Sequence, residues 1–198
     1  YPVRICHINR ISSGARIGML GNIIVAFGVV LNFMAFWAMA THNRAGDITY
    51  VQIGPLKIRL TVTTYTKASS TGADRDSITL SWGDGQSQSI YRVNGPLGKG
   101  EVLQNDTKRN FYVAEHTYPG TGTYTVNMTD PNRVGNILNL NYPNSVGIQF
   151  HLATTLTLLN STIQGYNNSA ILLQPPIDFG CIGKKFIHNI NAYDPDGD

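Results

Sequence analysis

Three carboxylates close the chain: Asp194, Asp196 and Asp198 alternate with Pro195 and Gly197. Acids at i, i+2 and i+4 in a loop bent by Pro and Gly can converge oxygens on one hard cation. Calcium takes six to eight such ligands, so three carboxylates alone would bind it weakly. The plainer reading is an acidic turn. A fourth acid, Asp84, stands between Gly83 and Gly85, where a carboxylate either reaches a ligand or bonds nearby backbone amides. The amide role is the favoured one. His42, His116, His151 and His188 lie far apart and show no carboxylate partner in the sequence, and His116 reads as a packed or hydrogen-bonded histidine rather than a catalytic base. Glu115 beside it falls on the opposite face of a strand. The chain contains no G-x-S-x-G elbow, H-E-x-x-H pair, phosphate loop or dinucleotide fingerprint, so an active site is not expected here.

The elements that must position these residues are strands. Ile58, Leu60 and Val62 alternate with Arg59, Thr61 and Thr63. That period of two marks a half-buried strand. Ile78, Leu80 and Trp82 repeat it, as do Tyr124, Val126 and Met128. Residues 48–53, 111–113 and 148–159 are further β-rich runs, and Gly, Pro, Asn and Asp separate them all. Short strands punctuated in this way indicate an all-β sandwich or barrel. Trp82 should point into its core, and Gly83-Asp84-Gly85 should close a hairpin through positive φ. Two polar loops, 67–76 and 94–110, read as solvated connections.

Charge is sparse. Fifteen Lys and Arg face twelve Asp and Glu, and three of those arginines (Arg4, Arg10, Arg16) precede residue 17. The remainder is formally neutral, which removes the basic patch that nucleic acid requires. The basic start leads into an apolar run over 23–40 that ends in Ala38-Met39-Ala40, small residues where a signal peptidase reads. We expect residues 1–40 to be a helical signal peptide, removed on export, with no membrane contact afterwards. Cys6 lies in that leader, so Cys181 has no internal disulfide partner in the mature part.

The pairing of Trp82-Gly83-Asp84-Gly85 with His116-Thr117-Tyr118-Pro119-Gly120-Thr121-Gly122-Thr123-Tyr124 resembles the signature of PKD-type immunoglobulin-like domains. The resemblance implies a β-sandwich over 41–160, with Trp82, Gly83, Asp84, Gly85, His116, Tyr118, Gly122 and Tyr124 as its structural residues. The interval between the two halves is longer than that family usually carries, which leaves the middle strands open. The stretches 41–50, 130–133, 168–179 and 193–198 are similar to gliding-motility-associated surface proteins of Gram-negative bacteria, exported by the type IX route. That implies a linker over 161–198 leading into a truncated cadherin-like or immunoglobulin-like module. It also implies calcium at Asp194, Asp196 and Asp198.

Two functions remain in view. One is a non-catalytic structural and adhesive module of a secreted or cell-surface protein, partnered by neighbouring modules of its own chain, a surface polysaccharide or another surface protein. The other is a carbohydrate-binding accessory module of a secreted polysaccharide-degrading enzyme. Exposed rings would favour the second, and Tyr65, Tyr91, Tyr142 and Tyr166 are the candidates.

Overall fold

The computed structural model describes residues 42–160, 162, 165–176, 183–185, 187–189 and 191–197. The expected signal peptide, Cys181 and Asp198 lie outside the described residues. Ten strands occur among them: β1 (Asn43–Gly54), β2 (Lys57–Lys67), β3 (Ser77–Ser81), β4 (Ser87–Tyr91), β5 (Glu101–Val102), β6 (Thr107–Thr117), β7 (Gly122–Asp130), β8 (Phe150–Leu158), β9 (Ile171–Leu172) and β10 (Ala192–Tyr193). Three short 3-10 turns sit in the connections.

Eight strands form two antiparallel sheets of four, ordered β1-β2-β6-β5 and β4-β3-β7-β8; β9 and β10 pair separately. The described residues form an all-β sandwich. Alternation dictates the core: Ile58, Leu60 and Val62 of β2 are fully buried, and Leu80, Val126, Leu156 and Leu158 meet them from the second sheet. Each such side chain contributes on the order of 1.5–3 kcal/mol by leaving water. Strands β2 and β6 pair without interruption from Lys57↔Thr117 to Lys67↔Thr107. On the outer face of that sheet, this register sets Arg59 opposite Glu115. Glu115 there binds both Lys57 and Arg59, at 2.6 and 2.8 Å.

The loops 67–76 and 94–110 depart from the solvated connections expected. The first contains a 3-10 turn (Thr71–Ala73) and the second holds β5 and the start of β6. They are also bound to each other. Both oxygens of Asp106 accept from Ser69, at 2.7 and 2.8 Å, and the Ala68 amide donates to the Asp106 carbonyl. Gly95 and Gly100 both need positive φ here.

Candidate functional site

The two halves of the Trp-Gly-Asp-Gly and His-Thr-Tyr pattern meet at one end of the sandwich. Residues 82–86 join β3 to β4, and the Trp82 amide donates to the Gln86 carbonyl at 2.9 Å. Gly83 adopts φ +82°, and a Cβ there would lie 2.6 Å from the Thr125 carbonyl oxygen of β7. Only glycine lets the turn lie this close to β7. His116 points inward because it shares the inner face of β6 with Tyr112 and Ala114.

Its imidazole stacks on Trp82 at 4.5 Å and 8°. Its Nε2 lies 2.8 Å from Asp84 Oδ2. Tyr118 meets the same ring edge-on at 4.7 Å, stacks on Tyr124 at 4.1 Å, and donates its hydroxyl to the Trp82 carbonyl. Tyr124 in turn donates to the Gly120 carbonyl at 2.9 Å. Asp84 also accepts from the Gln86 amide at 3.0 Å, the turn-carboxylate role expected of it. Burial opposes the Asp84 charge, but the bonds from His116 and the Gln86 amide prevail and hold its carboxyl below the usual range.

The cluster joins β6 of one sheet to β3 and β7 of the other. The side chains of His116 and Asp84 are 9% and 2% exposed, with the ring covered by Trp82 and Tyr118. A histidine–carboxylate pair usually invites a catalytic reading. This one is closed over by rings and spends its polar atoms on the hairpin. No local pattern signals this pair, because it forms between residues 32 apart, only once β6 has docked across the hairpin.

A second polar cluster went unread in the sequence. The Arg92 side chain is fully buried. It donates to both oxygens of Asp74 at 2.8 and 3.2 Å, to Asn110 at 2.7 Å, to Asp76 at 2.7 Å and to the Gly98 carbonyl at 2.7 Å. Lys108 adds a 2.6 Å bridge to Asp74, and Asn110 reaches the hydroxyls of Thr64 and Thr66. The signal was present: Ile90 and Arg92 alternate inward at the end of β4, as do Lys108, Asn110 and Tyr112 along β6. Alternation continued past the apolar residues would have placed the charges inside.

Burial would raise the Asp74 pKa, yet the Arg92 and Lys108 bonds outweigh it and bring it down to about 2. His42, 1% exposed, sits 3.8 Å from Asp74 with neither ring nitrogen hydrogen-bonded. Burial chiefly lowers its pKa. Both shifts destabilise the fold in acid. A depressed pKa means that the unfolded chain takes up protons first, so stability is lost as pH falls. Urea midpoints should fall in two stages: from about pH 6.5 as unfolded His42 protonates, then below about pH 4 through the carboxylates. His42→Leu should remove the first stage only; an unaltered profile in that variant would refute the assignment.

At the end of the described chain, Asp194 and Asp196 are engaged within the fold. Asp194 Oδ1 accepts from the Asp196 and Gly197 amides at 2.9 and 3.2 Å. Asp196 accepts from the amide and side chain of Asn168. Asn168 and Ser169 satisfy the outer edge of β1, where the Gln52 amide donates to Asn168 Oδ1 and the Tyr50 amide to Ser169 Oγ. Among the described residues, no three His, Cys, Asp or Glu gather as a metal would need. Of the candidate rings, Tyr91, Tyr142 and Tyr166 are exposed and Tyr65 is half-buried.

No family model, curated protein or solved structure matches the chain. The class that the fold itself defines is the all-β sandwich.

Proposed function

We propose that the chain is a non-catalytic extracellular module with a structural and adhesive role. It is an immunoglobulin-like sandwich of the PKD type within a larger, gliding-motility-associated surface protein. Strand order supports the fold part of this reading. With the strands lettered in sequence, β1-β2-β6-β5 corresponds to the ABED sheet of immunoglobulin domains, and β3, β7 and β8 to C, F and G. The observation that carries the functional part is the closed Trp82–His116–Asp84 cluster. The motif residues brace two sheets against each other, leaving loops and outer faces for contact.

The leader over 1–40 belongs to this reading as the export signal to a Gram-negative surface. Calcium belongs to it through Asp194, Asp196 and Asp198, and would have to displace Asn168 from Asp196. The accessory-module alternative draws on the exposed Tyr91, Tyr142 and Tyr166.

Beads coated with the full chain should stay attached under flow to bacterial cells or a polysaccharide film, and detach more readily in EGTA than in calcium chloride. Retention no better than that of albumin-coated beads would refute adhesion. Equal retention in EGTA would refute the calcium part alone.

A further inference from the structure

The two outer faces of the sandwich differ in kind. The β1-β2-β6-β5 face carries ion pairs, Arg59 with Glu115 and Arg109 with Glu101. On the β4-β3-β7-β8 face, the outward positions of all four strands hold no Lys, Arg, Asp or Glu. About a quarter of an ordinary soluble chain is charged, so four strands with no outward charge are a departure; the nearest charge is Arg75, just ahead of β3, which is paired with Asp130. What replaces charge there is hydroxyl. Thr123 faces Thr157 and Thr125 faces Thr155, each pair with oxygens 3.1 Å apart, and Thr129 bonds His151 at 2.9 Å. Strands β3 and β4 continue the surface with Ser and Thr, and Tyr91 joins His151 as a ring on it.

We infer that this face binds an uncharged polysaccharide. The inference rests on the adhesive reading above and names its surface and partner. A hydroxyl has one donor and two acceptor sites, so each bonded threonine pair still offers one O–H and spare lone pairs. These lie in ranks about 4.8 Å apart between strands and about 6.7 Å apart along them. A regular array offering donors and acceptors together, without charge, complements a chain of neutral sugars that offers the same. The competing partners fit poorly. An acidic polymer needs Lys or Arg, and the core of a protein interface favours aromatic residues, Met and Arg over Ser. Since no ionic term is involved, added salt should leave binding unchanged.

The test is retention of the full chain on insoluble neutral polymers (cellulose, β-1,3-glucan, starch granules), with calcium alginate gel as the acidic control, at 0.1 and 1 M NaCl. At least one neutral polymer should retain it equally at both salt levels. The double variant Thr125→Lys, Thr155→Lys should weaken retention by about tenfold or more. Thr125→Ala, Thr155→Ala removes the same hydroxyls without adding charge and should weaken it less. Val113→Lys, on the opposite sheet, should change nothing. Circular dichroism establishes that each variant is folded. Equal retention of folded variants and wild type overturns the inference, as does preference for alginate or retention on no neutral polymer. Beads that hold cells but no neutral polymer would remove this inference and leave adhesion standing; beads that hold nothing would remove both.

Discussion

Arg92→Ala is expected to lower the free energy of unfolding by about 3–5 kcal/mol at pH 7, the cost of removing one partner from a buried ion pair. The guanidinium is fully buried and joins loop 67–76, through Asp74 and Asp76, to Asn110 on β6 and to the Gly98 carbonyl. Without it, Asp74 keeps Lys108 but loses its two-pronged partner, and Asn110 and Gly98 lose a donor. Domains of this size are stable by about 5–15 kcal/mol, so the variant should stand near its unfolding threshold. Arg92→Lys should rescue little, because a single ammonium cannot reproduce a planar fork with several fixed donors. The double variant Arg92→Met, Asp74→Asn should cost clearly less than the sum of its single changes, since the two groups share one network. Urea unfolding followed by circular dichroism measures all of these. A loss below about 1 kcal/mol for Arg92→Ala would mean that water enters and supports the cluster.

How far the sequence reveals this protein depends on how local each interaction is. Alternation in β2, β3 and β7 was plain because Ile58, Leu60, Val62, Leu80, Val126 and Met128 announce the inner face by type. Strand ends were harder. The alternation carries on through Asn110 and Lys108 in β6 and Arg92 after β4, but polar side chains there look like the start of a loop. Loops 67–76 and 94–110 accordingly read as solvated connections. Their composition is polar because they line a charged cluster. The site was legible in part. The positive-φ turn at Gly83 and Gly85 and the inward Trp82 followed from local chemistry. The bonds from His116 to Asp84 and from Asn168 to Asp196 did not, since both depend on segments meeting across the fold. The edge of β1 is the least legible feature of all. Side chains of Asn168 and Ser169 take bonding positions that a neighbouring strand would otherwise fill, and no periodic pattern encodes that.

Trp82→Ala should be comparably severe, at about 3–5 kcal/mol, the usual cost of truncating a buried large aromatic. The indole is 1% exposed and is the platform on which His116 lies. Removing it opens a cavity beside a histidine–carboxylate pair, so water reaches the bond between His116 and Asp84 and the hairpin loses its link to β6. Two further variants separate packing from polar bonding. Trp82→Phe keeps a ring against His116 and should recover at least half of the loss. Asp84→Asn keeps an acceptor for the Gln86 amide but loses the carboxylate, so it should act mainly through pH. Its stability should fall less than that of wild type as pH drops below about 4, because the depressed carboxylate is gone. Thermal unfolding followed by circular dichroism gives all three, and a shift of roughly 4–8 °C accompanies each kcal/mol in a domain of about 100 residues. A shift under about 5 °C for Trp82→Ala would deny the cluster its bracing role. That outcome would reopen His116 and Asp84 to a functional reading, because their pairing would then not be explained by bracing the two sheets.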